Sequence, residues 1–188
     1  MSTSRLCHAP VNSRGREMLE TGGQMKKWKI AIIGAGYMAQ EHAKALASIK
    51  SVALVGVCGR NRQRAEALAS AYGVPLYRTV SEMFADSQAD AVVVAVNELS
   101  MPQVCAEVFR WPWLSLLEKP VGVDLEAAAA ITELGRSARA FVAFNRRSYS
   151  ATRMALHELA TDEGPRLISV LDQEDPEAAR ASGQPEEV

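Results

Sequence analysis

Ile30-Ala31-Ile32-Ile33-Gly34-Ala35-Gly36-Tyr37-Met38-Ala39 is the stretch on which the reading of this chain turns. Four apolar residues end at Gly34, a short run that suits a strand buried on both faces. Beyond the glycines, Ala39, Ala43, Leu46 and Ala47 recur at i, i+4, i+7 and i+8, the stripe of an amphipathic helix. A G-x-G-x-x-A joint therefore sits directly between a strand and a helix. Each small residue in such a joint has a task. Gly34 permits the tight turn, Gly36 lets a diphosphate approach the backbone, and Ala39 lets the helix pack closely on the strand. A helix N-terminus placed there offers unpaired N–H groups and a partial positive charge to phosphate. The same residues would also serve a plain glycine turn between packed elements, so the surrounding pattern has to arbitrate.

That pattern alternates. Val52–Val57 reads as a second strand, followed by a helical stripe at Ala65, Leu68, Ala69 and Tyr72 that Gly73 and Pro75 stop. A short extended piece near Leu76–Tyr77 and a short helix over Ser81–Asp86 come next. Ala91–Val96 is the most strand-like segment, and Met101, Val104, Cys105 and Val108 give another helical stripe. Leu114–Leu117 reads as a buried strand. Asp124 can cap a helix whose inward side is Ala127, Ile131, Leu134 and Ala138, and Ala140–Phe144 is a further strand. A helix near Thr152–Leu159 and a strand near Arg166–Leu171 are the last readable elements. Strands separated by helices of this length imply right-handed crossovers, hence an α/β fold: a doubly wound parallel sheet covered on both faces, of the Rossmann type.

Composition bounds the function. The 188 residues are 48% hydrophobic and 23% charged, ordinary globular usage, with 21 basic against 22 acidic side chains and a net charge of −1. So balanced a chain has no global field to hold nucleic acid or an anionic membrane, and no run of about 18 apolar residues spans a bilayer. Cys7, Cys58 and Cys105 are odd in number and widely spaced, without metal-ligand spacing, so we expect no metal site, no disulfide framework and a cytoplasmic location. Residues 1–24 are polar and aperiodic and read as a disordered leader without an apolar signal region, with Met25 as a natural start. From Asp172 onward six acids face only Arg180, a local charge of −5 that leaves +4 on the rest. This tail is too polar to fold alone and reads as a loop cut before its next element.

At the end of the second strand an acidic residue would bond a ribose 2′-hydroxyl; here the run is Cys58-Gly59-Arg60-Asn61-Arg62-Gln63-Arg64. Arg60 can stack on adenine or pair with a 2′-phosphate, and Arg64, one helical turn on, can reach the same edge. A solvated basic start to a helix would look the same. The cofactor expectation is therefore NAD or NADP, with NADP slightly favoured.

The glycine joint, Glu118-Lys119-Pro120 after Leu114–Leu117, and Phe144-Asn145-Arg146-Arg147 after the next strand occur in that order. The set resembles the Gfo/Idh/MocA family of NAD(P)-dependent oxidoreductases, over roughly residues 26–171. The resemblance implies a Rossmann domain over residues 25–146 and, over 147–188, the start of a truncated second α/β domain that would carry the substrate site. It implies that Lys119 is the catalytic lysine, bonding the reacting hydroxyl or carbonyl and moving its proton, and that Glu118 contacts the nicotinamide ribose. Gly34, Ala35, Gly36, Tyr37 and Met38 would hold the diphosphate, Gly59, Arg60 and Arg64 the adenosine, and Val96, Asn97 and Asn145 the nicotinamide half. An exposed lysine at a strand end and a basic loop after Phe144 are the plain alternatives. The isomer of the Lys119–Pro120 bond is not legible from sequence.

Two departures stand out. The loop after Ala91–Val96 reads Val96-Asn97-Glu98-Leu99-Ser100-Met101, without the Thr-Pro-Asn and nearby His common in this family. The family's Asp and His on a later helix have no counterpart: His42 reads as a packing or capping residue, His157 lacks a partner acid, and His8 lies in the leader. The resemblance implies hydride transfer between a nicotinamide cofactor and a small-molecule substrate, a sugar, cyclitol or similar compound. Present mainly as the cofactor half, the chain is expected to be inactive alone, with homo-oligomers only in a full-length form. The alternative is a non-catalytic dinucleotide-binding regulatory module.

Overall fold

In the computed structural model residues 27–160 are described, together with 164, 167 and 169. Six strands form one all-parallel sheet: β1 (Trp28–Ile33), β2 (Val52–Cys58), β3 (Leu76–Tyr77), β4 (Ala91–Val94), β5 (Leu114–Leu117) and β6 (Arg139–Val142). Their spatial order is β3-β2-β1-β4-β5-β6. Helices α1 (Tyr37–Ala47), α2 (Arg62–Tyr72), α3 (Val80–Ser87), α4 (Met101–Val108) and α5 (Leu125–Leu134) make the crossovers, and α6 (Ser150–Ala160) follows β6.

Alternation along the strands divides the core between two faces. Ile32 and Val93 point to one side, where they meet Ala39 and Ala43 of α1 and Ala65, Leu68 and Ala69 of α2. Ala31, Ile33, Val92 and Val94 point to the other, against Val80, Met83, Met101, Cys105 and Val108 of α3 and α4. This two-sided cover is the doubly wound arrangement expected from sequence. Local signals set the helix ends. The Asn61 side chain accepts from Arg64 N at 3.0 Å, Thr79 and Glu82 form a reciprocal capping box, and Asp124 accepts from Ala127 N at 2.7 Å. Gly73 closes α2 in the left-handed conformation.

Three expectations are corrected. The helix expected to bury Leu134 and Ala138 stops at Leu134, which is 49% exposed, because Gly135 takes the C-cap and Ala138 belongs to the turn into β6. Leu114 opens β5 at 41% exposure, and Phe141 on β6 is 62% exposed, so the expected burial on both faces fails at this edge. The reason is local: among the described residues no helix covers the face bearing Leu114, Leu116 and Phe141, which lines an apolar depression. The strand at Ala140–Phe144 is found at Arg139–Val142. The leader, the strand near Arg166–Leu171 and the acidic tail lie outside the described residues.

Candidate dinucleotide site

The strand order reverses between β1 and β4, so the loops leaving their carboxyl ends part and open a crevice, where open α/β sheets hold ligands. A cleft of about 560 Å³ lies there. Its lining includes Gly34, Ala35, Gly36, Gly59, Arg60, Arg64, Val96 and Asn97 from the sequence-predicted set. Tyr37 and Met38 are exposed on the first turn of α1 and do not line it. Glu118 and Lys119 on β5's carboxyl end, and Asn145 in the turn Asn145–Ser148 after β6, lie along the same edge but outside that cleft.

The two glycines of the joint answer to different demands. Gly34 has φ +122°, and a Cβ there would stand 2.0 Å from the Ala95 carbonyl oxygen, while its N–H bonds Cys58 O at 2.8 Å. The fold itself requires glycine at 34. Gly36 is the N-cap of α1 with φ −80°, open to any residue, and a Cβ there would meet nothing within 4 Å. Nothing among the described residues calls for glycine at 36. No side chain caps α1 either, so its first N–H groups face the same open space. The residues present fit a diphosphate: a methyl group at 36 would project into space that no described residue occupies, in front of the uncapped helix.

Cations gather at the other end of the cleft. Arg60, with Nη1 3.4 Å from Ser100 Oγ, is joined by Arg64 and by Arg78, and none of the three forms an ion pair within the described residues. Glu107 on α4 is the acid in the lining. Arg78 escaped the sequence reading, although a signal existed. It follows β3, and a parallel strand beside β2 delivers its next residue to the same carboxyl edge. Asn97, a sequence candidate, spends its side-chain oxygen on Ser100 N at 3.0 Å.

On β5 the Glu118 N–H continues the ladder to Val94 O at 2.8 Å. The residue is 5% exposed, and its carboxylate is held on both oxygens: Oε2 accepts from Lys119 N at 3.0 Å, and Oε1 lies 2.8 Å from His42 Nε2. Lys119 is exposed, and the Lys119–Pro120 peptide is cis. The sequence assigned His42 to packing or capping, and its partnership with a residue 76 positions away has no spacing signal. Cys58 also lines the cleft, but burial, with Glu107 and Glu82 adding to it, pushes its thiol up to about 11. Burial alone takes Cys105 to about 12. Neither is a nucleophile at neutral pH. Among the described residues no His, Cys, Asp and Glu cluster suited to a metal occurs, and no helix is long and apolar enough to cross a membrane.

Comparison with known proteins agrees with this geometry. Residues 28–146 match the model of an oxidoreductase family, Gfo/Idh/MocA, described as an NAD-binding Rossmann fold. The chain is 31% identical over 144 residues to glucose-6-phosphate 3-dehydrogenase of Bacillus subtilis, covering 76% of this chain and 41% of that protein. It is 30% identical over 135 residues to inositol 2-dehydrogenase of Rhizobium meliloti, covering 69% and 41%. The crystal structure of a myo-inositol dehydrogenase from Corynebacterium glutamicum superposes with a TM-score of 0.65 at 26% identity, over 72% of this chain and 41% of that one. The chain thus spans about two fifths of the length of the relatives it matches.

Proposed function

The chain belongs to the Gfo/Idh/MocA family of oxidoreductases, and from that premise we propose that it is the cofactor-binding half of an NAD(P)-dependent dehydrogenase acting on a hydroxyl-bearing carbon of a sugar or cyclitol. The observation that carries the reading is Gly36, a glycine required by neither backbone angle nor neighbour, in front of an uncapped helix. The substrate class follows from the relatives, which are named as dehydrogenases of a sugar phosphate and of inositol. Residues 25–146 form the dinucleotide-binding unit in this proposal, and 147 onward begin a substrate-binding unit. A longer form holds the substrate and assembles as a homo-oligomer.

When bound, the nicotinamide takes or gives the hydride. The protein's own residues do the rest. The N–H groups opening α1 and the backbone at Gly34–Gly36 hold the diphosphate. Arg60, Arg64 and Arg78 border the adenosine ribose without an acid at the end of β2, which favours a 2′-phosphate and hence NADP slightly over NAD. Glu118 borders the nicotinamide ribose with the second lone pair that each carboxylate oxygen keeps. Val96, Asn97 and Asn145 flank the same half. Lys119 bonds the reacting oxygen through Nζ and carries its proton as the carbon–hydrogen bond breaks or forms, a role that needs a donor beside developing oxyanion charge.

Titration of the purified chain with NADH and NADPH, followed by ligand fluorescence or calorimetry, tests the reading. Both dinucleotides are expected to bind, and Lys119→Ala to leave their affinities within about threefold, since the diphosphate contacts lie elsewhere. In a form extended to the length of the relatives, the same substitution abolishes turnover. Absence of binding to either dinucleotide refutes the cofactor assignment, and unchanged turnover refutes the lysine.

A further inference from the structure

The helix that receives the diphosphate and the loop that carries the lysine are tied through one buried carboxylate. His42 stands on α1 between Ala39 and Ala43, the two side chains with 0% exposure that bring this helix down onto the sheet. That close approach lets the imidazole reach past the edge of α1 to Glu118 at the end of β5. Glu118 has no freedom of its own. Its backbone N–H is fixed to Val94 O, its Oε2 takes the N–H of Lys119, and its Oε1 takes His42 Nε2 at 2.8 Å. An ionised carboxylate only accepts, so Nε2 is the protonated nitrogen of the ring in this contact. The path therefore runs through three links: from the phosphate-facing helix to its own imidazole, from the imidazole to the carboxylate, and from the carboxylate to the main chain of Lys119.

We propose that His42 is a positioning residue: by holding Oε1 of Glu118 it fixes the peptide of Lys119, and so the placement of the lysine relative to the dinucleotide, without touching cofactor or substrate. This rests on the dinucleotide reading given above. A residue that merely fills space between α1 and the sheet would be replaceable by any side chain of its size. A positioning residue needs a donor nitrogen at the reach of Nε2, which glutamine supplies and phenylalanine does not.

The test uses the full 188-residue chain and three forms: wild type, His42→Phe and His42→Gln. Each is acylated briefly with an N-hydroxysuccinimide ester, and modification of Lys119 is measured by peptide mass spectrometry with and without NADPH or NADH, with Lys44 and Lys50 as internal standards. In the wild type the dinucleotide protects Lys119. His42→Phe is expected to change the basal acylation rate at Lys119 about threefold or more and to reduce protection to less than half, while dinucleotide affinity stays within about threefold. His42→Gln restores both. A folded His42→Phe chain with wild-type rate and protection overturns the proposal, as does failure of glutamine to restore what phenylalanine removes. If no form binds a dinucleotide, the cofactor reading fails, yet the basal rate still decides whether His42 governs Lys119. Should His42→Phe not fold, Glu118→Gln, which turns an amide toward the Lys119 N–H or the imidazole donor, is expected to alter the basal rate equally, and an unaltered rate counts against the proposal.

Discussion

Exchanging Gly34 and Gly36 for alanine, one at a time, separates what the fold demands from what a ligand demands. At 34 the new methyl would stand 2.0 Å from the Ala95 carbonyl oxygen, a backbone atom held in place because Ala95 N–H bonds Ile33 O at 2.8 Å. The φ of +122° adds strain of roughly 1–3 kcal/mol for a residue with a side chain, before the overlap is relieved. A total loss of about 3 kcal/mol or more is expected, against a whole stability of roughly 5–15 kcal/mol. For a domain of this size the melting temperature falls by about 10 °C.

At 36 the balance is different. Nothing lies within 4 Å of the new methyl and φ is −80°. Removing a flexible glycine from the unfolded chain stabilises by roughly 0.4–1 kcal/mol, and alanine is the poorer N-cap by a similar amount, so the two nearly cancel. The melting temperature is expected to move by less than about 3 °C. Binding is where this variant suffers: displacing a diphosphate from even one charge-assisted N–H bond costs about 1.5–3 kcal/mol, roughly 10- to 100-fold in Kd for NADH and NADPH alike. Thermal melting by circular dichroism and dinucleotide titration of both variants provide the assay. A Gly36→Ala chain that melts normally and binds normally would show that the space before α1 holds no phosphate, and the reasoning would fall.

Two further outcomes follow from named side chains. Arg60→Ala combined with Arg64→Ala is expected to weaken NADPH about tenfold and NADH by less than about threefold, because only the 2′-phosphate needs the second and third cations; equal losses for both dinucleotides in calorimetry would remove the NADP preference. Cys58 and Cys105 have folded-state thiols raised to about 11 and about 12 from an ordinary value of 9.0, so the unfolded chain loses these protons first as pH rises. Their contribution to stability is complete below pH 9 and is lost as pH climbs through 11 and 12. Urea melts at a series of alkaline pH values check the sign, with Cys58→Ser and Cys105→Ser together expected to flatten the decline.

What the sequence made legible is what lies within a few residues. The order of strands and helices, the cap at Asp124 and the glycine joint are all set by neighbours one to eight positions apart, and they appear where the pattern places them. Burial at β5 and β6 was misread because a run such as Leu114–Leu117 has the same composition whether one face or both are covered, and only the rest of the molecule decides. Arg78 was passed over because its importance comes from β3 lying beside β2, a fact of sheet order rather than of spacing.

His42 is the sharpest instance. In sequence it is one more polar residue on a helix, and nothing at 3.6-residue spacing marks it. Its meaning depends on two separate facts: that β5 stands beside β4 rather than beside β2, and that α1 carries alanines where it meets the sheet. Change either and the imidazole no longer reaches Glu118. Larger side chains at positions 39 and 43 would lift α1 off the strands, drawing away the phosphate-facing N–H groups and the donor to Glu118 in one movement. The small residues at 39 and 43 thus set more than the approach of a ligand, because the same close packing fixes the distance between the N-terminus of α1 and the loop that carries Lys119.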